Sequence, residues 1–124
     1  MFKYFTRDEF VCQATGENEI EDELIFALDE LREHCGFPFV ITSGYRSPDH
    51  PIELKKKTPG THAQGIAADI AVSSGLQRYT IVKNAVKSFY VLIYSPAVFL
   101  CYQEVRYVSK HLHYLGFSSF TFDV

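Results

Sequence analysis

Thr42-Ser43-Gly44-Tyr45-Arg46-Ser47-Pro48, then Gly60-Thr61-His62-Ala63-Gln64-Gly65-Ile66-Ala67-Ala68-Asp69-Ile70, is the stretch on which the fold of this chain turns. The run Phe39–Thr42 is aromatic and β-branched and reads as a strand, and Ile66–Val72 reads as a second one. Residues 44–64 between them are rich in Gly, Pro, Ser, Lys and Thr, the composition of a long loop. Asp69 therefore sits inside an apolar strand, on the face it shares with Ala67 and Ala71. A carboxylate buried there costs several kcal/mol unless something pairs with it. Gly65 lets the chain turn sharply, so that His62 can fold back over Asp69. Imidazole plus carboxylate, with one more histidine and an open position, is the donor set of a catalytic zinc site. On residues alone a second reading stands beside it: a surface-loop histidine, with Asp69 bonded to backbone amides.

Upstream, Thr6-Arg7-Asp8-Glu9 is a capping box, with Phe5 and Phe10 placed as a hydrophobic staple, and predicts a short helix to about Ala14. Asn18 with Glu21 starts a second helix, whose stripe is Ile20, Leu24, Leu28, Leu31 and Cys35, and Gly36 ends it. Ser74-x-x-Gln77 caps a third, with Tyr79, Val82, Val86 and Phe89 as its apolar stripe. Helices and strands mixed without a βαβ rhythm make this an α+β chain, and 124 residues make it one domain, 1–124.

Composition narrows the function. Apolar residues make up 47% and charged ones 22%, which excludes a disordered chain. The net charge of −3 lacks the basic footprint of a nucleic-acid binder. Cys12, Cys35 and Cys101 form no CxxC pair, so reduced thiols are expected. The N-terminus has no signal-peptide h-region, and synthesis in the cytoplasm is the expectation. Residues 88–103 carry no charge, yet Pro96 interrupts them and the run is short of a membrane span. Buried strands 89–94 and 97–102, turning at Ser95-Pro96 and covering the sheet, are expected there.

The Ser-Gly-Tyr-Arg-Ser-Pro segment at 43–48, followed by His-x-x-Gly-x-Ala-x-Asp-Ile at 62–70, resembles the zinc D-alanyl-D-alanine carboxypeptidases, family fifteen of the metallopeptidases. That group includes phage L-alanyl-D-glutamate endolysins and shares the hedgehog/DD-peptidase-like fold, a small antiparallel sheet with helices packed on it. The resemblance covers roughly residues 3–87. It implies Zn2+ as cofactor, with His62 and Asp69 as its first two ligands. It also implies that Arg46 holds a substrate carboxylate or carbonyl. Ser43 and Tyr45 flank it, and either line the pocket or serve the turn. A planar guanidinium suits bidentate carboxylate binding. The implied substrates are peptidoglycan stem peptides, met in the cell wall after phage lysis or virion delivery. The chain is expected to act as a monomer, without a stable membrane span or nucleic acid. His50 reads as a solvated loop histidine, and Lys55-Lys56-Lys57 as a solvated face.

The family needs a third ligand from a Phe-x-His-x-Asp strand, and no such segment occurs here. The remaining pair is His111-Leu112-His113, whose histidines would share one strand face. By the resemblance His113 is the ligand and His111 the proton carrier. Leu115 stands where the small members have an acid and Lys110 where other relatives place the general base, which leaves the base open. Residues 88–124 depart from the family pattern. They are either a longer variant with a hairpin around Pro96, or a chain changed after about Lys87 by a frame change or recombination. A zinc peptidase and a catalytically degenerate cell-wall-binding or phage structural protein are the two functions these alternatives carry.

Overall fold

The structure, a computed structural model, describes residues 1–86, 89–94 and 97–102. Its helices are α1 (Asp22–Cys35) and α2 (Gly75–Ala85), and its strands β1 (Ile41–Ser43), β2 (Ala67–Ala71), β3 (Tyr90–Tyr94) and β4 (Ala97–Cys101). The strands form one sheet in the order β1-β2-β4-β3, each neighbour antiparallel to the next. This is the expected α+β arrangement.

The period-two alternation of β2 and β4 sorts the sheet into two faces. Ala68 and Ile70 on β2, with Val98 and Leu100 on β4, point into the main core. There they meet Leu24, Ile25, Leu28 and Leu31 of α1, and Ile81 and Ala85 of α2. Ala67, Phe99 and Cys101 lie on the opposite face, and Asp69 stands there among them. Burial of each large aliphatic side chain is worth about 1.5–3 kcal/mol, so the α1 stripe is a main source of stability.

Several boundaries differ from the reading of the sequence, each for a tertiary reason. The first helix is only a 3-10 turn, Arg7–Phe10. Glu9 does accept the Thr6 amide at 2.9 Å and the Phe5 and Phe10 rings meet at 5.6 Å, but the Cys12 amide goes to the Glu17 carbonyl and closes a loop instead. α1 begins at Asp22, not near Asn18, because the Glu21 amide is committed to the Gly65 carbonyl at 2.9 Å. Gly36, at φ 77°, ends α1 in the left-handed cap expected of it. Ser74 caps α2 through the Gln77 amide, as its spacing predicts. The buried face of α2, however, is Ile81 and Ala85, while Tyr79 is 62% exposed and only Phe89, beyond the helix, is buried from the far end of the expected stripe.

The hairpin β3–β4 joins the edge of the sheet rather than covering it. β4 pairs with β2 over five residues, from Ala67↔Cys101 to Ala71↔Ala97. All five residues of β4 are buried, because β2 and β3 flank it and both its faces are covered. That gives the uncharged run a structural use. Among the described residues no helix is long and apolar enough to cross a membrane.

Candidate metal centre

Asp69 is carried on the sheet face away from the helices and is 8% exposed. His62 reaches it from a compact turn. The Gln64 amide donates to the Gly60 carbonyl, that of Gly65 to His62 and that of Ile66 to Thr61. Gly65 is needed in this turn twice over. Its φ is +75°, and a Cβ there would lie 2.3 Å from the Glu19 carbonyl oxygen, which is backbone and cannot swing away. Gly65→Ala is expected to cost more than the roughly 1–2 kcal/mol of a left-handed backbone alone. Denaturant unfolding measures it, and an unchanged midpoint would contradict the docking of residues 18–21 on this turn.

The His62 imidazole has a fixed protonation pattern. Its Nδ1 lies 2.7 Å from the Gly44 carbonyl oxygen, which can only accept, so Nδ1 carries the proton. Burial pushes the His62 pKa below its ordinary 6.5, and the nearby Arg46 and Lys56 charges act the same way. The Gly44 carbonyl and Asp69 pull in the opposite direction and do not prevail. The ring is therefore neutral at pH 7, and Nε2 presents a lone pair. That atom faces Asp69 Oδ2 at 3.8 Å. The distance is too long for a hydrogen bond. It is close to the separation of about 3.4 Å between two ligands 2.0–2.2 Å from one tetrahedral zinc. A histidine with one nitrogen bonded to a backbone carbonyl and the other turned towards a carboxylate has the pattern of a metal ligand with its outer-shell partner. The two side chains fit a zinc ion as a pair of donors.

On the third side stands an aromatic ring. Phe99 is the cross-strand partner of Asp69, and its ring centroid is 5.3 Å from that of His62. Cys101, on the same face, is a neutral thiol whose pKa burial pushes up to about 12. Among the described residues no group of three His, Cys, Asp or Glu side chains could hold a metal ion. His111 and His113 lie outside the described residues.

Arg46 is bound into the same locus. Its amide donates to the His62 carbonyl at 3.2 Å, and its Nη2 donates to Ser43 Oγ at 3.4 Å. The guanidinium is half-buried and close enough to His62 to influence its acidity. Ser43 thus orients the guanidinium. Tyr45 is 4% exposed and belongs to the main core, its amide donating to the Phe10 carbonyl. It anchors the loop from beneath. His50 uses Nδ1 to accept the Ile52 amide at 3.0 Å. Lys55, Lys56 and Lys57 are exposed as expected. A groove of about 690 Å³ between α1, α2 and Tyr102 contains none of these residues.

Glu53, which no motif in the sequence marks, is buried at 6% exposure within the loop. Its carboxylate pairs with Lys56 Nζ at 2.8 Å and accepts the Gly60 amide at 3.1 Å. The i,i+3 spacing of Glu53 and Lys56 was the available signal, hidden in a run that reads as solvated lysines.

A protein-family model described as Peptidase M15 matches residues 3–95 of the chain. No curated protein and no solved structure matches it.

Proposed function

The chain belongs to the M15 family of peptidases, and from that premise we propose that it is a zinc-dependent hydrolase of peptidoglycan stem peptides, either a D,D-carboxypeptidase or an endolysin-type endopeptidase. One observation carries the reading. A buried, neutral His62, pinned through Nδ1 to Gly44, turns Nε2 towards the Asp69 carboxylate at 3.8 Å. His62 and Asp69 would hold the zinc ion, and His113 would complete the set. Bound zinc would lower the pKa of its water towards about 7 and polarise the scissile carbonyl. The chain's own residues do the rest. Arg46, oriented by Ser43, anchors a carboxylate or carbonyl of the peptide beside the pair. Gly44 keeps the proton of His62 on Nδ1 throughout. Phe99 forms an apolar wall that excludes water from one side. His111 takes a proton from the attacking side and returns it to the leaving amine. On this reading the protein meets the cell wall when it is released by phage lysis or virion delivery.

The test is to load the purified protein with zinc and incubate it with purified peptidoglycan, reading products by mass spectrometry. Released D-alanine marks a carboxypeptidase, and shortened stem peptides mark an endopeptidase. The alternative is a wall-binding protein that keeps the same fold without turnover. Sedimentation with peptidoglycan and no product would select it.

Arg46→Lys is expected to lower turnover by about 100-fold, since a lysine keeps the charge but loses the fork that orients the substrate. Zinc content should stay at the wild-type value. Equal turnover of the two proteins would remove Arg46 from the substrate site.

A further inference from the structure

The loop that carries Arg46 and His62 has no strand of its own, and its two ends are tied by the Arg46 amide to His62 and by His62 Nδ1 to Gly44. What fixes its middle is Glu53. The residue opens a one-turn 3-10 helix, Glu53–Lys55, and its side chain is 2% exposed. A buried carboxylate persists only where charge and hydrogen bonds compensate its lost hydration. Here one oxygen takes the Lys56 ammonium at 2.8 Å, and the other takes the Gly60 amide at 3.1 Å. The approach to Gly60 is close: a Cβ on that residue would lie 2.5 Å from Lys56 Nζ and 3.2 Å from Glu53 Oε1. Gly60 is also the first residue of the turn that carries His62, and its carbonyl accepts the Gln64 amide at 3.0 Å. The carboxylate therefore reaches the His62 turn through one backbone amide, with the Lys56 ammonium packed on it.

We propose that Glu53 is a positioning residue, whose carboxylate clamps the Glu53–Lys55 turn to Gly60 and thereby holds the His62 imidazole against Asp69. This rests on the reading of His62 and Asp69 as metal donors, and reaches back to a residue seven positions before Gly60 that touches neither. Its consequence is that metal affinity depends on a side-chain clamp outside the ligand set. Outer-shell partners of metal-binding histidines are typically worth about 10–100-fold in affinity.

The experiment uses the full chain, first zinc-free and then titrated with zinc against a chromophoric chelator. Glu53→Ala removes both contacts. It should accelerate hydrogen exchange at the Gly60 and Gln64 amides and at His62 Nδ1 by about tenfold or more, while the amide of Leu28 in α1 keeps its protection. Zinc affinity should fall by about 10–100-fold. Glu53→Gln keeps an oxygen for Gly60 but turns an amide NH2 towards the Lys56 ammonium, and should show the same changes in weaker form. Lys56→Met added to Glu53→Gln removes that repulsion and should restore slow exchange and affinity to within about threefold of wild type. The rescue also covers the case in which Glu53→Ala does not fold. Wild-type exchange at His62 Nδ1 in folded Glu53→Gln and in Glu53→Ala would overturn the proposal, as would a double variant no better than Glu53→Gln. Wild-type protein that binds no zinc would instead defeat the metal reading, and the exchange measurements would still decide the role of Glu53.

Discussion

Removal of residues 88–124 is expected to unfold the domain. The deletion strips β4 from the whole length of β2 and leaves β2, now an edge, with five residues unpaired on one side. It also takes Phe89, Val98 and Leu100 out of the main core. At about 1.5–3 kcal/mol for each large side chain, those three alone approach the 5–15 kcal/mol that stabilises a typical domain. The loss of ladder hydrogen bonds comes on top. The truncated chain should show no cooperative thermal transition, and a protease should degrade it rapidly at sites such as Arg32 and Arg78 that the folded chain protects. A truncated protein with a cooperative melt near that of the full chain would show that the hairpin is an appendage. The abrupt loss of charge at residue 88 would then have no structural cause.

The second large effect concerns the metal. His62→Ala and Asp69→Asn should each weaken zinc binding by more than about 100-fold, since even outer-shell partners are worth 10–100-fold. Asp69→Asn is the cleaner variant because it keeps the shape of the side chain. His62→Ala also removes the donor from the Gly44 carbonyl, which costs roughly 1–3 kcal/mol of stability if that group stays buried. A metal-linked melt separates the two effects. Zinc at about 100 times its dissociation constant should stabilise wild-type protein by about 2.7 kcal/mol and both variants by no more than about 0.4 kcal/mol. Stabilisation that survives in Asp69→Asn would place the ion elsewhere. His113→Ala belongs in the same series, because unchanged zinc affinity there would reject His113 as a ligand while leaving the first two assignments intact.

Much of this was legible in the order of residues because it is local. The i,i+3 and i,i+4 spacing of Leu24, Leu28 and Leu31 specifies one buried stripe, and Gly36 is the residue that a left-handed cap requires. The period of two in β2 places Asp69 on the face opposite Ile70 whatever the strand pairs with. The capping box at Thr6 and the Ser74 cap of α2 are satisfied by atoms a few residues away. His62 and Asp69 could be paired from the sequence because Gly65 stands between them and permits the turn.

Other features needed partners distant in sequence, and local pattern carried no trace of them. Spacing alone does not fix the buried face of α2, because a helix with Tyr79, Ile81, Val82 and Ala85 offers more than one apolar face, and the position of α1 and the sheet decides which is buried. α1 starts late because Gly65, more than forty residues on, takes the Glu21 amide. The sequence by itself determined the strand face of Asp69, the turn that brings His62 back towards it and the mixed α+β character, since each follows from spacing and from the backbone freedom of glycine, while their reading as metal donors came from the family resemblance. Only the tertiary structure decided that β4 rather than β3 lies beside β2, that Phe99 stands opposite Asp69, and that Glu53 is buried against Gly60. The reason is the range of the forces involved. Caps and stripes are settled within a few turns of chain, whereas strand order and the burial of a charge depend on which distant surfaces remove the same atoms from water.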